Sequence, residues 1–456
     1  MEHQRLVELA EAHLWGHFTA INNDVDGMRI LERGDGCYLW DTEGNRYFDG
    51  LAGLFLSQLG HGRPELAKAA GDQAAILGYF PIWTYGHPTA IELAAKLAEL
   101  APGDINRVFF TTGGSEAVES CIKLARQYAV NTNRDEKWKI ISLHPSYHGG
   151  TLGALAITGM DPFVDPFSKM LKMMPKIPAA TCYLDNDDLS DHERGINYAN
   201  LLEEEIIKQG PDTVLAFIFE PIGGASTGAL VPPDSYFKRI KEICNTYDVL
   251  LITDEVLTGA GRTGKFLAGE HWNLEPDIIA MAKGFAAGYA PLGVVAARED
   301  IVEVINNSGG FLHGHTYAGN PLACAAGLAV IKEITEKRLT ENALIQGEKL
   351  RNNLEKLKNQ FSLIGDVRGK GLLMAFELVA DRETMEPLPS SAEAHIHLVE
   401  EAYKRGLIIY SRRTRGGTIG DHFMICPPLI IEAKQIDEIC EILKDSLDAM
   451  IKKMNL

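Results

Sequence analysis

Short apolar runs alternate with stretches of helical periodicity between about residues 90 and 300, and this alternation restricts the fold more than any other feature. The first run is Val108-Phe109-Phe110, and others follow at 140–141, 214–219, 249–252, 278–279 and 294–295. Each run is apolar at both alternations, as expected of strands covered on both faces, and several are far enough apart for a crossover helix. The pattern predicts an α/β fold with a largely parallel sheet.

The two ends of the chain have a different pattern. Residues 36–48 alternate around the turn sequence DTEG at 41–44, which indicates a β-hairpin. Beyond about residue 335 come an amphipathic helix and short apolar runs at 372–376, 407–410 and 423–426. A chain of 456 residues is too long for one ordinary core. We therefore predict a large domain of residues 66–334 and one smaller α+β domain built from residues 1–65 and 335–456.

Composition excludes several classes of partner. The chain has 62 acidic and 44 basic side chains and a formal net charge of −18, and such a surface repels the phosphates of nucleic acids. No apolar stretch reaches the ~18 residues of a membrane span, and the first residues do not form a secretion signal. The seven cysteines are scattered singly, as expected of reduced thiols. We expect a cytoplasmic protein with neither a nucleic-acid nor a membrane partner.

A small-residue segment, TTGGSEA at 111–117, follows one predicted strand and opens a predicted helix. Free backbone N–H groups at such a helix start can bind a phosphate, and the Ser115 hydroxyl adds a donor. A glycine turn with Ser115 as the helix N-cap explains the segment equally well. The segment matches neither GxGxxG nor GxxxxGKS/T, which disfavours a nicotinamide dehydrogenase or a nucleotide triphosphate site.

Two ionisable residues follow buried runs. Asp254 lies just past the run 249–252, where doubly wound sheets place their ligands, although a structural carboxylate that caps loop amides is the alternative. Lys283 lies just past the run at 278–279 and is flanked by glycine, alanine and aromatic residues. Desolvation lowers the pKa of an amine and makes it a candidate nucleophile for a carbonyl. A lysine that extends from a strand end into water is the alternative.

Two further segments complete the set. Tyr147 follows a predicted strand and either presents its ring to a flat ligand or packs in the core. The loop at 313–321 has two histidines but no third ligand at a suitable spacing, so we predict no metal site. A phosphate cradle, an aromatic face, a buried acid and a desolvated lysine at strand ends of one sheet fit pyridoxal phosphate, whose protein partners are a Schiff-base lysine and an acid at the pyridinium nitrogen.

The sequence resembles the class III pyridoxal-phosphate aminotransferases, in the omega-transaminase branch of fold type I. The resemblance runs from DGLAGL at 49–54 to CPPL at 426–429, and its most specific stretch is DEVLTGAGRTG at 254–264, followed by PDI at 276–278 and KG at 283–284. It implies a large domain with a mostly parallel, seven-stranded type of sheet and a small domain built from both chain ends.

The resemblance also implies roles for individual residues. Lys283 would bind the cofactor covalently and move the proton, Asp254 would pair with the pyridinium nitrogen, and Tyr147 would stack on the ring, so these three are the predicted catalytic residues. Thr316 would bind the phosphate from the other subunit. The predicted cofactor-binding residues are Gly114, Ser115, Tyr147, His148, Glu220, Asp254, Val256, Lys283 and Thr316.

The substrate site is predicted from the same resemblance. The family often binds a carboxylate through an arginine before a late Pro-Pro loop, and here that region offers Arg412, Arg413 and Arg415. We predict Arg412, with Arg415 next, because planar bidentate pairing suits a carboxylate or sulfonate; a solvated basic loop is the alternative. By resemblance, Phe55 and Trp83 line the amine pocket.

The implied reaction is a ping-pong amino transfer from an omega- or beta-amino acid or amine to pyruvate or a similar 2-oxo acid. Beta-alanine, taurine, diamines and arylalkylamines are all candidate donors. The resemblance implies a homodimer or a dimer of dimers with shared active sites. An aminomutase or decarboxylase on the same fold is the alternative reaction. A catalytically silent protein of this fold is disfavoured because the cofactor residues look complete.

Overall fold

The computed structural model describes residues 2–18 and 28–454. Its strands are β1 (Leu31–Asp35), β2 (Tyr38–Asp41), β3 (Arg46–Asp49), β4 (Ile105–Thr111), β5 (Lys139–His144), β6 (Lys176–Pro178), β7 (Val214–Phe219), β8 (Leu250–Asp254), β9 (Ile278–Met281), β10 (Gly293–Arg298), β11 (Ile364–Lys370), β12 (Leu373–Asp381), β13 (Glu386–Pro387), β14 (Leu407–Ile408), β15 (Tyr410–Arg415) and β16 (Ile419–Ile425).

The helices are α1 (Glu2–His13), α2 (Ala52–Phe55), α3 (Pro64–Ile76), α4 (Pro88–Leu100), α5 (Gly114–Asn131), α6 (Leu152–Ala156), α7 (Asp161–Val164), α8 (Asp191–Gln209), α9 (Asp234–Thr246), α10 (Glu299–Asn307), α11 (Pro321–Glu336), α12 (Leu339–Gln360), α13 (Ala394–Lys404) and α14 (Ala433–Met454). Within the described ranges, no helix is both long enough and apolar enough to cross a membrane.

A seven-stranded sheet forms the centre of the molecule, in the order β4-β10-β9-β8-β7-β5-β6. Neighbouring strands from β9 to β6 pair in parallel, and β10 is antiparallel to both β9 and β4. Successive residues of a strand face opposite sides, so Leu251 packs with α8 and α9 while Ile252 packs with α5 and α10. The predicted α/β fold with a largely parallel sheet is confirmed.

The two ends of the chain meet in a second sheet. Strand β14 pairs in parallel with β3, with Leu407 opposite Phe48 and Ile408 opposite Asp49, which completes the order β1-β2-β3-β14. A third sheet, β11-β12-β16-β15 with β13 beside β12, comes from the C-terminal part alone. The prediction that both ends build the smaller α+β part is therefore confirmed, while the boundaries at residues 65 and 334 stay predictions.

Candidate active site

Three ionisable side chains lie where three neighbouring parallel strands end. Glu220 directly follows β7, Asp254 is the last residue of β8, and Lys283 comes two residues after β9. Because β7, β8 and β9 are adjacent and parallel, their carboxyl ends share one edge of the sheet, where ligands bind in folds of this kind. The structure therefore brings together the acid and the lysine that the sequence singled out.

Lys283 has a backbone conformation that only a tightly packed site would hold. It opens a short 3-10 turn, Lys283–Phe285, with a left-handed φ of 48°, which costs a residue other than glycine of order 1–3 kcal/mol. Its neighbour Gly284 lies against the side chain of Gln58, because a β-carbon at Gly284 would lie 1.9 Å from Gln58 Nε2. Close packing on this glycine fixes the turn from which the lysine side chain extends.

The amine of Lys283 is poorly solvated. Burial lowers its pKa from the usual value, and the carboxylates of Asp254 and Glu220 act in the opposite direction. The net lowering increases the neutral fraction of the amine, which is the form that attacks a carbonyl carbon. The lysine therefore has the chemistry that covalent binding of an aldehyde requires.

Asp254 is held by two hydrogen bonds in a buried position. His148 Nδ1 lies 2.8 Å from Asp254 Oδ2, and the backbone N–H of Val256 donates to Oδ1 at 3.1 Å. Asp254 is 4% exposed and His148 is 2% exposed, so the pair is almost free of water. His148 Nε2 is buried and has no partner among the described residues. An acid fixed in this way can hold a proton or a positive charge in front of it.

Glu220 is the second buried carboxyl of the site. The backbone N–H groups of Tyr147 and Gly224 donate to its oxygens at 3.3 and 3.0 Å. Burial raises the pKa of Glu220 to about 7; the charge of Asp254 acts in the same direction, and His148 opposes it. Two neighbouring acids thus differ in environment, since Asp254 has a side-chain partner that Glu220 lacks.

The start of α5 forms the predicted cradle. The helix begins at Gly114 with Gly113 at the N-cap, so Ser115 lies inside the first turn and is not the N-cap that the alternative interpretation required. A β-carbon at Gly114 would lie 2.8 Å from Val256 Cγ1, so this close contact requires glycine. Ser115 Oγ accepts a hydrogen bond from the N–H of Gly150 at 3.0 Å. The free N–H groups of this helix start are suited to an anion.

An aromatic wall extends from Tyr147 toward the small domain. The ring of Tyr147 meets Phe163 edge to face with centroids 6.0 Å apart, and the Arg412 guanidinium lies 5.0 Å from the Phe163 centroid. Arg412 Nε also donates to the Tyr410 hydroxyl at 2.5 Å, and the Tyr410 ring lies 5.4 Å from that of Phe55. Phe55 and Arg412, two predicted substrate residues, thus belong to one wall with Tyr147.

The other two candidate arginines face away from this wall. The alternative interpretation, a solvated basic loop, does not hold, because β15 and β16 form a β-hairpin in which alternate side chains lie on opposite faces. Arg413 donates to the carbonyls of Thr418 and Ser390 at 2.8 and 2.9 Å, and Arg415 donates to the carbonyl of Met385 at 2.7 Å. The hairpin register separates Arg412 from both of them.

Thr316 and Trp83 lie apart from the other site residues. Both are exposed, Trp83 by 75%, and the Thr316 carbonyl accepts a hydrogen bond from Tyr79. Among the described residues, no hydrogen bond or aromatic contact joins either of them to Lys283 or Asp254. A single chain therefore does not bring these two predicted residues into the site.

Two wall residues were missed in the sequence. Phe163 lies in α7 between two predicted strands, and Tyr410 was predicted only as the end of the apolar run 407–410. Phe163 neither follows a buried run nor belongs to a small-residue segment. A single aromatic residue has no pattern that separates a pocket residue from a core residue.

Comparison with known proteins identifies the family. The sequence profile described as Aminotransferase class-III matches residues 20–447. The chain belongs to the class III aminotransferases. It is 40% identical over 446 residues to a probable aminotransferase of Mycobacterium tuberculosis, a match that covers 97% of this chain and 94% of that protein. It is 36% identical over 424 residues to a putrescine–pyruvate aminotransferase of Pseudomonas aeruginosa, covering 92% of this chain and 91% of that one.

A solved structure agrees with the sequence comparison. An (S)-enantioselective omega-transaminase of Thermomicrobium roseum superposes with a TM-score of 0.93 and 36% identity, covering 98% of this chain and 99% of that chain. The fold is that of the fold type I pyridoxal-phosphate-dependent transferases, and enzymes of this family use that cofactor with a small-molecule amine and a keto acid. The predicted family, fold class, cofactor and enzyme class are confirmed.

The raised pKa of Glu220 predicts a pH-dependent stability. The folded chain holds a proton that the unfolded chain releases above the usual carboxyl pKa of 4.5, so the stabilising contribution of Glu220 is full below that pH and is lost as pH rises toward about 7. Glu220→Gln cannot ionise. We expect urea unfolding of the apoenzyme to show that the free energy of unfolding of the variant, relative to that of the wild type, rises by about 2 kcal/mol between about pH 5 and pH 8. The exposed Glu204→Gln is the control, and a pH-independent Glu220→Gln difference would contradict the prediction.

Proposed function

We propose that this enzyme transfers the amino group of an omega- or beta-placed amine to pyruvate or a similar 2-oxo acid in a ping-pong reaction. The observation that carries the proposal is the position of Arg412 on the wall of Tyr147, Phe163 and Tyr410. One cation on an aromatic wall beside a buried lysine suits a substrate with a carboxylate at one end and an amine at the other. The putrescine–pyruvate aminotransferase relative supports a terminal amine as donor and pyruvate as acceptor.

The side chains of the sheet edge fit pyridoxal phosphate. The glycine-lined start of α5 is open to a phosphate, and the desolvated amine of Lys283 is suited to an aldehyde. When bound, the cofactor supplies a carbonyl that takes the amino group and a ring that stabilises negative charge. In this proposal Lys283 holds it covalently, Asp254 pairs with its ring nitrogen, and Gly114 and Ser115 bind its phosphate. The remaining predicted cofactor residues are Tyr147, Val256, His148 and Glu220, together with Thr316 for the site of the partner subunit.

Each protein group then has a separate task. The Lys283 amine carries the proton of the reaction, since burial lowers its pKa and so increases the neutral fraction that can accept a proton. Asp254 keeps a proton on the ring nitrogen, and the hydrogen bond from His148 fixes its carboxylate. The wall of Tyr147 and Phe163 excludes water from the reacting side. Arg412 orients the substrate by its carboxylate or sulfonate.

The proposed active unit is a homodimer, alone or paired into a dimer of dimers. Thr316 and Trp83 lie on one surface with large exposed apolar side chains, and an exposed patch of this kind is typical of a protein interface. The Tyr79 and Tyr317 rings are 5.5 Å apart, and Gly314 faces the Trp83 indole. Other exposed apolar side chains in the same two chain segments are Ile76, Phe80, Tyr85 and Leu312. In this proposal a second copy binds to this surface, and Thr316 reaches the phosphate of the partner's site.

Lys283→Ala tests the reaction. We expect the wild type to convert pyruvate to alanine in step with consumption of an omega-amine, and the variant to show no transfer and no covalently held cofactor, because the attacking amine is gone. Product analysis by chromatography measures both, and added methylamine serves as a control for folding by restoring part of the activity. Amine turnover that needs no keto acid would instead indicate the aminomutase or decarboxylase.

Arg412→Ala tests carboxylate binding, with Arg415→Ala as the matched control. Loss of a bidentate charged pair should lower kcat/KM for beta-alanine by about ten- to hundred-fold. The amine half-reaction with a diamine or an arylalkylamine should change by less than about three-fold, because these donors have no carboxylate. Rapid-mixing absorbance of each half-reaction measures this. Equal losses for both donor types, or a larger effect of Arg415→Ala, would refute the role of Arg412.

Complementation tests the shared site. Lys283→Ala and Thr316→Asp are each expected to be inactive alone. If Thr316 serves the partner's site, a mixed dimer has one site with both changes and one intact site. Co-expression should then restore about a quarter of wild-type activity, since half of the dimers are mixed and each has one intact site of two. Mixed dimers without activity would show that Thr316 serves its own subunit.

A further inference from the structure

Asp49, the last residue of β3, is fully buried and accepts hydrogen bonds from the backbone of one short segment. Its Oδ1 accepts the backbone N–H of Leu51 at 3.1 Å, and its Oδ2 accepts the backbone N–H of Gly53 at 2.7 Å. His61 Nε2 also lies 2.7 Å from Oδ2. The carboxylate therefore joins the first residues of the segment 51–55 to a histidine that lies beyond its end.

The segment that Asp49 holds is strained. Ala52, Gly53 and Phe55 all have left-handed backbones, with φ of 51°, 66° and 63°. Two of the three are not glycine, and such residues persist only where the surroundings hold them. Gly53 and Leu54 are also non-helical, so α2 is a distorted turn rather than a regular helix. The hydrogen bonds to Asp49 fix the first residues of this segment.

The segment lies between the two halves of the active site. On one side, the buried Phe55 ring packs against Tyr410, which accepts the hydrogen bond from Arg412. On the other side, Gln58, which follows the segment and is joined to it through the hydrogen bonds of Leu56, packs on Gly284, next to Lys283. A shift of the segment would therefore move Phe55 relative to both the arginine wall and the lysine turn.

We propose that Asp49 and His61 are a positioning pair that sets the size limit of the amine pocket by fixing Phe55 in its strained conformation. The proposal rests on the proposed function, because the place of Phe55 in the amine pocket is part of it. Neither residue touches the substrate; both act through the segment 51–55. When the pair is broken, the segment relaxes, Phe55 leaves its place against Tyr410, and bulkier amines enter.

A neighbouring aspartate provides a control for a merely structural role. Asp41 ends β2 in the same sheet and is 6% exposed. It accepts the N–H groups of Glu43 and Asn45 at 3.0 and 2.8 Å and the hydroxyl of Tyr47 at 2.8 Å. The Asn45 side-chain amide donates as well, at 2.9 Å. Asp41 is thus a buried, turn-capping acid like Asp49, but its turn does not reach the active site.

The experiment compares Asp49→Asn, His61→Leu, His61→Gln and Asp41→Asn in the cofactor-loaded enzyme. The first readout is kcat/KM for a branched arylalkylamine divided by kcat/KM for a short straight diamine, both with pyruvate. We expect Asp49→Asn and His61→Leu to raise this ratio about ten-fold, a usual effect of one pocket contact. His61→Gln keeps a donor near Oδ2 and should leave the ratio at the wild-type value. Asp41→Asn should lower stability without changing the ratio.

The second readout is hydrogen exchange of peptides that contain residues 50–56, which needs no activity. Asp49→Asn and His61→Leu should speed exchange there by about ten-fold or more, and Asp41→Asn should not. An unchanged ratio in both variants, or the same change in Asp41→Asn, overturns the proposal. If Asp49→Asn does not fold, His61→Leu against His61→Gln decides the question. If no amine is turned over, the proposed function fails, and unchanged exchange in the variants would separately overturn the positioning of the segment.

Discussion

Burial of three ionisable groups at one sheet edge makes each of them depend on the others. A carboxylate removed from water is costly unless it has hydrogen bonds and a nearby cation. Asp254 has both, through His148, the Val256 N–H and the charge of Lys283. The same burial lowers the pKa of Lys283 and raises that of Glu220 to about 7, so it brings the pKa values of the amine and the carboxyl closer together. This balance requires β7, β8 and β9 to be parallel neighbours.

The sequence predicted this edge because its signals are local. Asp254 and Lys283 each come just after an apolar run, and in a parallel sheet the carboxyl ends of the strands meet at one edge. The cradle at Gly114 could also be predicted, because a strand followed by small residues at a helix start is a short local pattern. What the sequence left open there was the helix start itself, and the contact between Gly114 and Val256 explains it: packing across the edge, rather than capping, selects the glycine.

The substrate side could not be predicted in the same way. Arg412 and Arg415 are three positions apart, so in a strand they lie on opposite faces, and the register of β15 against β16 decides which of them faces the wall. The sequence of this segment does not specify that register. Phe163 has no signal at all, because its role depends on the approach of Tyr147 and Arg412 from other elements. The sequence gives no signal for the role of Asp49 either, because an acid at the end of a short strand resembles any turn-capping residue.

These differences follow from how the chain builds the two sides. The cofactor side is built by consecutive strand ends of one domain, and each contributes a residue within a few positions of an apolar run. The substrate side needs the two chain ends to meet, since Phe55 follows β3 and Tyr410 and Arg412 lie just after β14, the strand that pairs with β3. The reaction class is therefore encoded locally, and the choice of amine depends on contacts between distant segments.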